Sequence, residues 1–131
     1  MSTAARRIAV VGASRDRSKF ANKCVRAYQK RGDTVYPIHP AQDEIENLKA
    51  YVSVLDVPDA IDVASFYVAP PVGLKVLEQC AQKGIRRILL NPGAESEAIE
   101  TRAALLGIET QNVCSIRLIG RAPSEFEQSA A

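Results

Sequence analysis

The chain has 131 residues, and 47% of them are apolar, enough to build the single core of one domain. A formal charge of +2 is too small to indicate a nucleic-acid or membrane-surface partner. No apolar run could cross a bilayer, and the N-terminal MSTAARR lacks the apolar stretch of a secretory signal. Three widely spaced cysteines and a single histidine favour a cytoplasmic protein with reduced thiols and no metal site.

The first predicted unit is a buried strand, Arg7–Val11, which stops at Gly12. A helix is expected from Ser18 to Lys30, and Gly32 is a typical helix stop. Four apolar residues fall at helical spacing on one face of this helix: Phe20, Cys24, Ala27 and Tyr28.

The middle of the chain predicts two more strands and a second helix. The segments DTVYPI (Asp33–Ile38) and IDVASFYV (Ile61–Val68) are β-rich, and residues 39–58 between them predict a loop with one short helix. Two prolines open the next helix, which runs from Pro70 to about Lys83 and ends at Gly84. Its inward residues are expected to be Leu74, Leu77 and Cys80.

The last third repeats the pattern. Arg86–Leu90 predicts the fourth strand, and Ile108–Val113 predicts the fifth. Between them, ESEAIETRAALLG predicts a helix that starts with acidic residues, as the helix dipole favours, and closes at Gly107. We expect one domain over residues 1–131, with a polar tail that frays from about Ser124.

Strands that alternate with helices predict an α/β fold, with a five-stranded parallel sheet covered by helices on both faces. We expect the strand order 3-2-1-4-5, counted along the chain. The chain would then reverse direction between strands 1 and 4, and open α/β sheets bind ligands beyond the carboxyl ends of their strands at such a point. The loops Gly12–Lys19 and Asn91–Glu95 would line this crevice.

The loop after the first strand has the composition of a phosphate-binding loop. Gly12 allows a tight turn and a close approach to the backbone, and N–H groups at the start of the following helix can bind a phosphate. Ser14 and Ser18 add hydroxyl donors. Three residues add positive charge: Arg15, Arg17 and Lys19. The alternative is an ordinary strand-to-helix turn with solvated basic side chains, and we favour the phosphate site.

Nicotinamide dinucleotides fit this loop poorly. The stretch Gly12-Ala13-Ser14 has no glycine at Ser14 or Arg17, so it keeps one of the three glycines of the dinucleotide motif. The second strand ends in Ile38-His39-Pro40, where an acidic residue would bind the ribose hydroxyls. A neutral or cationic residue there tolerates a phosphorylated ribose, so NADP remains an alternative.

Four segments carry a resemblance to a known family: AVVGAS, VYPIHP, KAYVSVLDVPDAIDVASFYVAP and NPGAESEAIETRAALLGIET. In this order and spacing they resemble the small stand-alone CoA-binding-domain proteins, which are similar to the N-terminal domain of the succinyl-CoA synthetase α subunit. The resemblance covers about Ile8 to Cys114. It implies a Rossmann-like domain with the CoA pyrophosphate at the first loop, the adenosine near the end of the second strand, and the pantetheine arm near the loops after strands 3 and 4.

The resemblance also implies which residues contact CoA. The pyrophosphate would be held by backbone and hydroxyl donors of Gly12, Ala13 and Ser14, and Ser18 lies in the same loop. Charge would come from Arg15, Arg17 or Lys19. The adenosine would be bordered by His39 and Pro40. The pantetheine arm would be bordered by Ala69, Pro70, Asn91 and Gly93. The alternative for each loop residue is that it only shapes a turn.

The three cysteines differ in their expected positions. Cys24 and Cys80 lie on apolar helix faces and are expected in the core. Cys114 follows the fifth strand, so it should emerge at the same sheet edge as the Gly12 and Asn91 loops. There it could form a mixed disulfide with the CoA thiol, and the alternative is a small apolar plug at the end of the sheet.

The sequence provides little for catalysis. We recognise no nucleophile beside the one histidine and no carboxylate pair. The larger CoA ligases that share the resemblance use other domains for phosphoryl chemistry. We therefore expect a protein that binds CoA or an acyl-CoA as a carrier, sensor or regulator. An NADP-binding oxidoreductase and a protein-interaction module without a ligand are the alternatives. The acyl group, the protein partner and the oligomeric state stay open.

Overall fold

The computed structural model describes residues 5–127, which form a parallel sheet between helices. The strands are β1 (Arg7–Val11), β2 (Thr34–Ile38), β3 (Glu44–Ile45), β4 (Leu48–Lys49), β5 (Val63–Phe66), β6 (Arg87–Leu90) and β7 (Glu109–Asn112). The helices are α1 (Phe20–Arg31), α2 (Pro70–Lys83), α3 (Glu97–Leu105) and α4 (Ser115–Leu118), with 3-10 turns at Val54–Asp56 and Pro123–Phe126. The predicted α/β class with five parallel strands is confirmed.

Side chains of β1 alternate between two cores, one on each face of the sheet. Ala9 and Val11 belong to the core that includes Leu77 of α2. Ile8 and Val10 belong to the core that includes Tyr28 of α1. Because β1 is apolar on both faces, each face needs a layer of helices to cover it. Helix α2 packs on one face and α1 on the other, as predicted.

The predicted strand order is wrong. The sheet runs β2-β1-β5-β6-β7, so β5 lies between β1 and β6 instead of outside β2. Two features of the chain explain the difference. Pro37 pairs with Val10 within β2 and has no N–H to donate, which suits an edge strand and not an interior one. All four residues of β5 are buried, the pattern of a strand with neighbours on both sides.

The corrected order moves the point at which the chain reverses across the sheet. The reversal lies between β1 and β5, so the crevice that follows from it is lined by the loops after those two strands. The predicted Asn91–Glu95 loop follows β6, one strand farther along the sheet. The predicted loop Gly12–Lys19 follows β1, so it still lies next to the point where the chain reverses direction.

The helix ends follow local sequence signals. Gly32 and Gly84 are left-handed C-caps of α1 and α2, with φ of +99° and +90°, as the glycine signals predicted. The predicted inward face of α1 is confirmed for Cys24 and Tyr28 but wrong for Phe20, whose exposed fraction is 58%. Phe20 is the first residue of α1, and the Lys23 ammonium group lies 5.2 Å from the centre of its ring.

Two segments are more ordered than predicted. Residues 43–50 contain a short antiparallel hairpin, turned by Glu46 and Asn47 with φ of +50° and +63°, the conformation of a two-residue hairpin turn. Residues 123–126 form a 3-10 turn in which Phe126 is buried and its carbonyl oxygen accepts a 2.7 Å hydrogen bond from Arg26. Residues 128–131 of the predicted tail lie outside the described part of the chain.

Candidate functional site

The loops after β1 and β5 touch at the carboxyl edge of the sheet. Gly12 has a φ of +89°, and a Cβ added to it would lie 2.8 Å from the Tyr67 carbonyl oxygen. The N–H groups of Gly12 and Ala13 both donate to the Ile38 carbonyl, at 3.1 and 3.2 Å. The close approach predicted at Gly12 is thus made by the protein's own backbone. These two N–H groups, which are expected donors to the pyrophosphate, connect the loop after β1 to the last residue of β2.

Asp16 organises the middle of the same loop. Its carboxylate accepts hydrogen bonds from the Ser18 N–H at 3.0 Å and the Ser18 hydroxyl at 2.6 Å. These bonds hold the pKa of Asp16 below its ordinary value, the hydroxyl contributing most. The Asp16 N–H donates to Ser14 Oγ at 3.0 Å, which leaves the Ser14 hydroxyl proton for another acceptor. Of the two predicted hydroxyl donors, Ser18 is therefore engaged with Asp16.

Two of the three predicted basic residues pair with acids of the hairpin. Arg15 donates from Nε to the Glu44 carbonyl at 2.8 Å and from its guanidinium to Asp43 at 3.1 Å. Arg17 Nε lies 3.3 Å from Glu46 Oε2, an ion pair without good hydrogen-bond geometry. Lys19 is the N-cap residue of α1, where its positive charge contributes to the lowered pKa of Asp16.

Two polar residues of α1 hold the loop in place. Buried Asn22 donates to the Ser14 carbonyl at 2.8 Å and to the Glu46 carboxylate at 3.0 Å. Arg26 donates to the Asn22 side chain at 2.8 Å and to the Arg17 carbonyl at 2.9 Å. Arg26 also donates to the Phe126 carbonyl oxygen. Asn22 and Arg26 together therefore connect the loop after β1, the hairpin and the C-terminal segment Ala122–Glu127.

The residues after β2 shape a turn beside this loop. His39 Nδ1 accepts hydrogen bonds from the N–H groups of Ala41 and Gln42, both at 2.9 Å. The Gln42 side chain in turn accepts from the Arg15 N–H at 3.1 Å. His39 therefore positions the segment that contacts Arg15, and the neighbouring Pro40 is exposed.

The Asn91 side chain is buried in a polar network instead of facing solvent. Its Nδ2 donates to Ser65 Oγ and to the Phe66 carbonyl, both at 2.9 Å. Its Oδ1 accepts from the Ser115 N–H at 2.7 Å, and the Ser65 and Ser115 hydroxyls lie 2.7 Å apart. Tyr28 completes the network by donating to the Ser115 carbonyl at 2.7 Å. Asn91 thus joins the ends of β5 and β6 to the start of α4.

The other predicted pantetheine residues end or begin elements at the same edge. Ala69 is the N-cap of α2, and Pro70 is its first residue. Gly93 has a φ of +96°, and its N–H donates to the Glu95 carboxylate at 2.9 Å. These residues follow the carboxyl ends of β5 and β6.

A cavity of about 290 Å³ opens between α1, the loops after β5 and β6, and the C-terminal segment. It is lined by Phe20, Tyr67, Asn91, Pro92, Cys114, Arg117 and Pro123. Cys114 is the N-cap residue of α4 and is partly buried. It lies at the sheet edge where the sequence predicted it. The Tyr67 hydroxyl is buried without a well-formed hydrogen bond to any described residue, and burial raises the pKa of Tyr67 above its ordinary value.

The predicted site residues therefore fall into two neighbouring groups. One group belongs to the loop after β1, beside the hairpin, and the other follows β5, β6 and β7. In the second group Asn91 and Cys114 line the cavity, whereas Ala69, Pro70 and Gly93 are not among its lining residues. Sequence reasoning missed several residues that build these places: Phe20, Asn22, Arg26, Asp43, Glu46, Tyr67 and Arg117. Apolar spacing assigned Phe20 to the core, and no local pattern marks a helix residue such as Asn22 as the partner of a distant loop.

Within residues 5–127, no cluster of three or more metal-binding side chains is present, and no helix is long and apolar enough to span a membrane.

Comparison with known proteins gives concordant results. Over 90 residues the chain is 38% identical to an ADP-forming acetate–CoA ligase of Methanocaldococcus jannaschii, which covers 69% of this chain but 13% of the ligase. A hypothetical protein from Pyrococcus horikoshii OT3 superposes with a TM-score of 0.84 and 31% identity, over 88% of this chain and 82% of that one. The Korarchaeum cryptofilum acetyl-coenzyme A synthetase 1, solved with phosphate and ADP, superposes with a TM-score of 0.74 and 33% identity, over 83% of this chain and 26% of that one.

The chain thus spans a small part of the ligase that it matches and most of the small Pyrococcus protein. Residues 6–118 match the CoA binding domain family, a range that includes both groups of site residues apart from the C-terminal segment. Because the family model matches most of the chain and the fold agrees, the chain belongs to the CoA-binding domain family.

Proposed function

We propose that this domain binds CoA or an acyl-CoA across the carboxyl edge of its sheet, and that it acts as a binding, carrier or regulatory protein and not as a catalyst. The observation that carries the proposal is the opposite chemistry of the two groups of residues. The concavity beside Arg15 and Arg17 is lined by charged side chains of both signs, with Glu44 and Glu46 opposite the arginines, and the cavity beside Phe20 and Tyr67 is largely apolar. CoA has the same division between a phosphorylated adenosine end and a less polar pantetheine end.

The residues present fit such a ligand. The cavity of about 290 Å³ is close to the lower limit of about 300 Å³ for small-molecule pockets, which suits a pantetheine end or a short acyl group and not a long chain. The Ser14 hydroxyl proton and the exposed Lys19 side chain remain for the phosphates between the two ends. CoA when bound would supply a thiol or a thioester, and these residues would hold and orient it.

Calorimetric titration with CoA, NAD and NADP tests the binding part. We expect CoA to bind more tightly than either nicotinamide nucleotide, because β2 is followed by His39 instead of an acid and the loop has Ser14 in place of the second motif glycine. Tighter binding of NADP would instead support the alternative of an NADP-binding oxidoreductase.

The non-catalytic part of the proposal is supported by how the polar groups of the site are used. His39 Nδ1 accepts hydrogen bonds from backbone N–H groups of its own turn. The Asp16 carboxylate accepts from Ser18, and the Glu46 carboxylate accepts from Asn22. Neither His39 nor Glu46 is paired with a nucleophile, and the Asp16–Ser18 carboxylate–hydroxyl pair holds two residues of the same turn together. We expect no steady release of CoA from acetyl-CoA. Release that is proportional to protein and abolished by a substitution in the crevice, such as Tyr67→Phe, would contradict this.

A further inference from the structure

We propose that Arg15 binds the phosphate on the adenosine ribose of CoA, and that Asp43 occupies the same guanidinium when no ligand is bound. The inference rests on the proposed function and assigns a specific part of the ligand to a specific residue. It concerns the concavity of about 510 Å³ lined by Arg15, Arg17, Glu44, Glu46 and Asn47.

The position of Arg15 is the first argument. Its N–H donates to the Gln42 side chain at 3.1 Å, and its Nε donates to the Glu44 carbonyl at 2.8 Å. Both partners belong to the segment after β2, so the guanidinium lies between the loops after β1 and β2. In nucleotide-binding sheets of this kind, the adenosine ribose lies at the end of the second strand.

The chemistry at this point favours a phosphate over free ribose hydroxyls. A carboxylate directly after β2 would accept hydrogen bonds from ribose hydroxyls, whereas a nearby arginine accommodates a phosphate on the ribose. Here β2 is followed by His39 and Pro40, and the Arg15 guanidinium from the loop after β1 reaches Glu44 and Asp43 in the segment that follows. Arginine also presents a planar set of donors that matches phosphate oxygens.

The ion pairs distinguish Arg15 from Arg17. The Asp43 side chain is 92% exposed, so its contact with Arg15 is a surface ion pair that contributes little and is readily exchanged. Glu46 is only 18% exposed and is also bound by buried Asn22, so its contact with Arg17 is held from two sides. A phosphate can therefore replace Asp43 on Arg15 at lower cost than it can replace Glu46 on Arg17.

The exchange leaves the arginine in place. The Nε of Arg15 stays on the Glu44 carbonyl, which is backbone and does not compete as a charge. The terminal nitrogen that now contacts Asp43 would turn to the phosphate, and the Asp43 carboxylate would return to water. Asp43 and the ribose phosphate are thus alternative partners of one guanidinium, and removing the charge of Asp43 should favour the ligand.

Titrations of CoA and 3′-dephospho-CoA into the wild-type domain and its variants test the assignment. We expect the wild type to bind CoA about tenfold or more tightly than dephospho-CoA, the range for a hydrogen-bonded charged group. Arg15→Gln should abolish most of this preference and leave dephospho-CoA binding nearly unchanged. Asp43→Asn should increase the preference. Arg17→Gln is the matched control and should keep it.

The outcomes separate the inference from the proposed function. Arg15→Gln that keeps the preference, or that weakens both ligands equally, overturns the assignment, as does Asp43→Asn that weakens CoA binding. Arg15→Lys keeps the charge without the planar donors and should retain part of the preference, which guards against a folding defect in Arg15→Gln. A wild-type domain that binds both ligands equally overturns the inference alone, whereas one that binds neither overturns the proposed function itself.

Discussion

Gly12 combines two constraints that single-residue substitutions can separate. Its φ of +89° disfavours any side chain, and an added Cβ would also meet the Tyr67 carbonyl oxygen at 2.8 Å. Gly32 has a similar φ of +99° but nothing within 4 Å of its Cβ position, so it is the matched control.

We expect Gly32→Ala to lower the free energy of unfolding by about 1 kcal/mol, the cost of a left-handed alanine. Gly12→Ala should lose about 2–4 kcal/mol, because the clash with the β5 loop adds to that cost. Urea unfolding of both variants measures the difference. Equal losses would mean that the loops after β1 and β5 separate without penalty.

Cys114 differs from the other two cysteines in accessibility. Burial raises the pKa of both Cys24 and Cys80 to about 12, so at neutral pH these thiols are protonated and shielded. Cys114 is partly exposed on the cavity wall.

If the CoA thiol reaches this cavity, incubation with CoA disulfide should modify Cys114. The Cys114 thiolate would attack one sulfur of the disulfide, forming a mixed disulfide and releasing one CoA as its thiolate. Intact mass should show one CoA adduct in Cys24→Ala and Cys80→Ala but none in Cys114→Ser. An adduct that persists in Cys114→Ser would place the reaction elsewhere.

At the scale of the elements, the Asn91 side chain supplies hydrogen bonds at the ends of β5 and β6, where backbone pairing between the strands stops. Its three hydrogen bonds connect β5, β6 and α4, and the side chain is buried. We expect Asn91→Ala to lower the free energy of unfolding by about 3 kcal/mol or more, because it leaves three buried groups, two in β5 and one in α4, without their hydrogen-bond partner. Asn112→Ala at the exposed end of β7 should change it by less than about 0.5 kcal/mol. A similar small effect for Asn91 in urea unfolding would mean that water satisfies its partners.

The C-terminal segment Ala122–Glu127 is a structural element that lies outside the family match. Phe126 packs into the α1 core, and Lys23 lies 3.6 Å from Glu127. Phe126→Ala should cost about 3 kcal/mol of stability, as for other buried aromatic residues, whereas Ser124→Ala at an exposed position should have little effect. Pro123 of the same segment lines the cavity. Titration of CoA into Phe126→Ala would therefore also show whether the C-terminal segment contributes to binding.

At the scale of the whole molecule, buried weak acids make stability depend on alkaline pH. Burial raises the pKa values of the Cys24 and Cys80 thiols, to about 12, and that of the Tyr28 hydroxyl. These groups ionise more easily in the unfolded chain than in the folded one. Their contribution is therefore fully present below the unfolded pKa and is lost as pH rises from there through the folded pKa.

We expect the free energy of unfolding to fall above about pH 9, by up to about 1.4 kcal/mol per pH unit for each cysteine. The double variant Cys24→Ala, Cys80→Ala should show a shallower decline between pH 9 and 11. Denaturant unfolding at several pH values measures both slopes. Parallel slopes would indicate that other groups, Tyr28 among them, control the alkaline transition.

Local signals in the sequence determined the class of the fold and the places where its elements begin and end. Buried runs and helical spacing marked five strands and three helices, and glycines such as Gly32 and Gly84 marked helix ends. The resemblance to CoA-binding domains was likewise carried by segments whose order is preserved along the chain. These features depend on a residue and its near neighbours, which the sequence contains directly.

Only the tertiary structure decided how those elements pair and which polar groups remain for a ligand. The strand order depends on contacts between distant segments, and Pro37, which marks β2 as an edge strand, was the one local sign of it. The Ser18 hydroxyl donates to Asp16, and the N–H groups of Gly12 and Ala13 donate to the Ile38 carbonyl, so composition alone did not show which donors remain for a phosphate. A donor's availability depends on which acceptor lies within about 3 Å of it, and for most of these residues folding sets that distance.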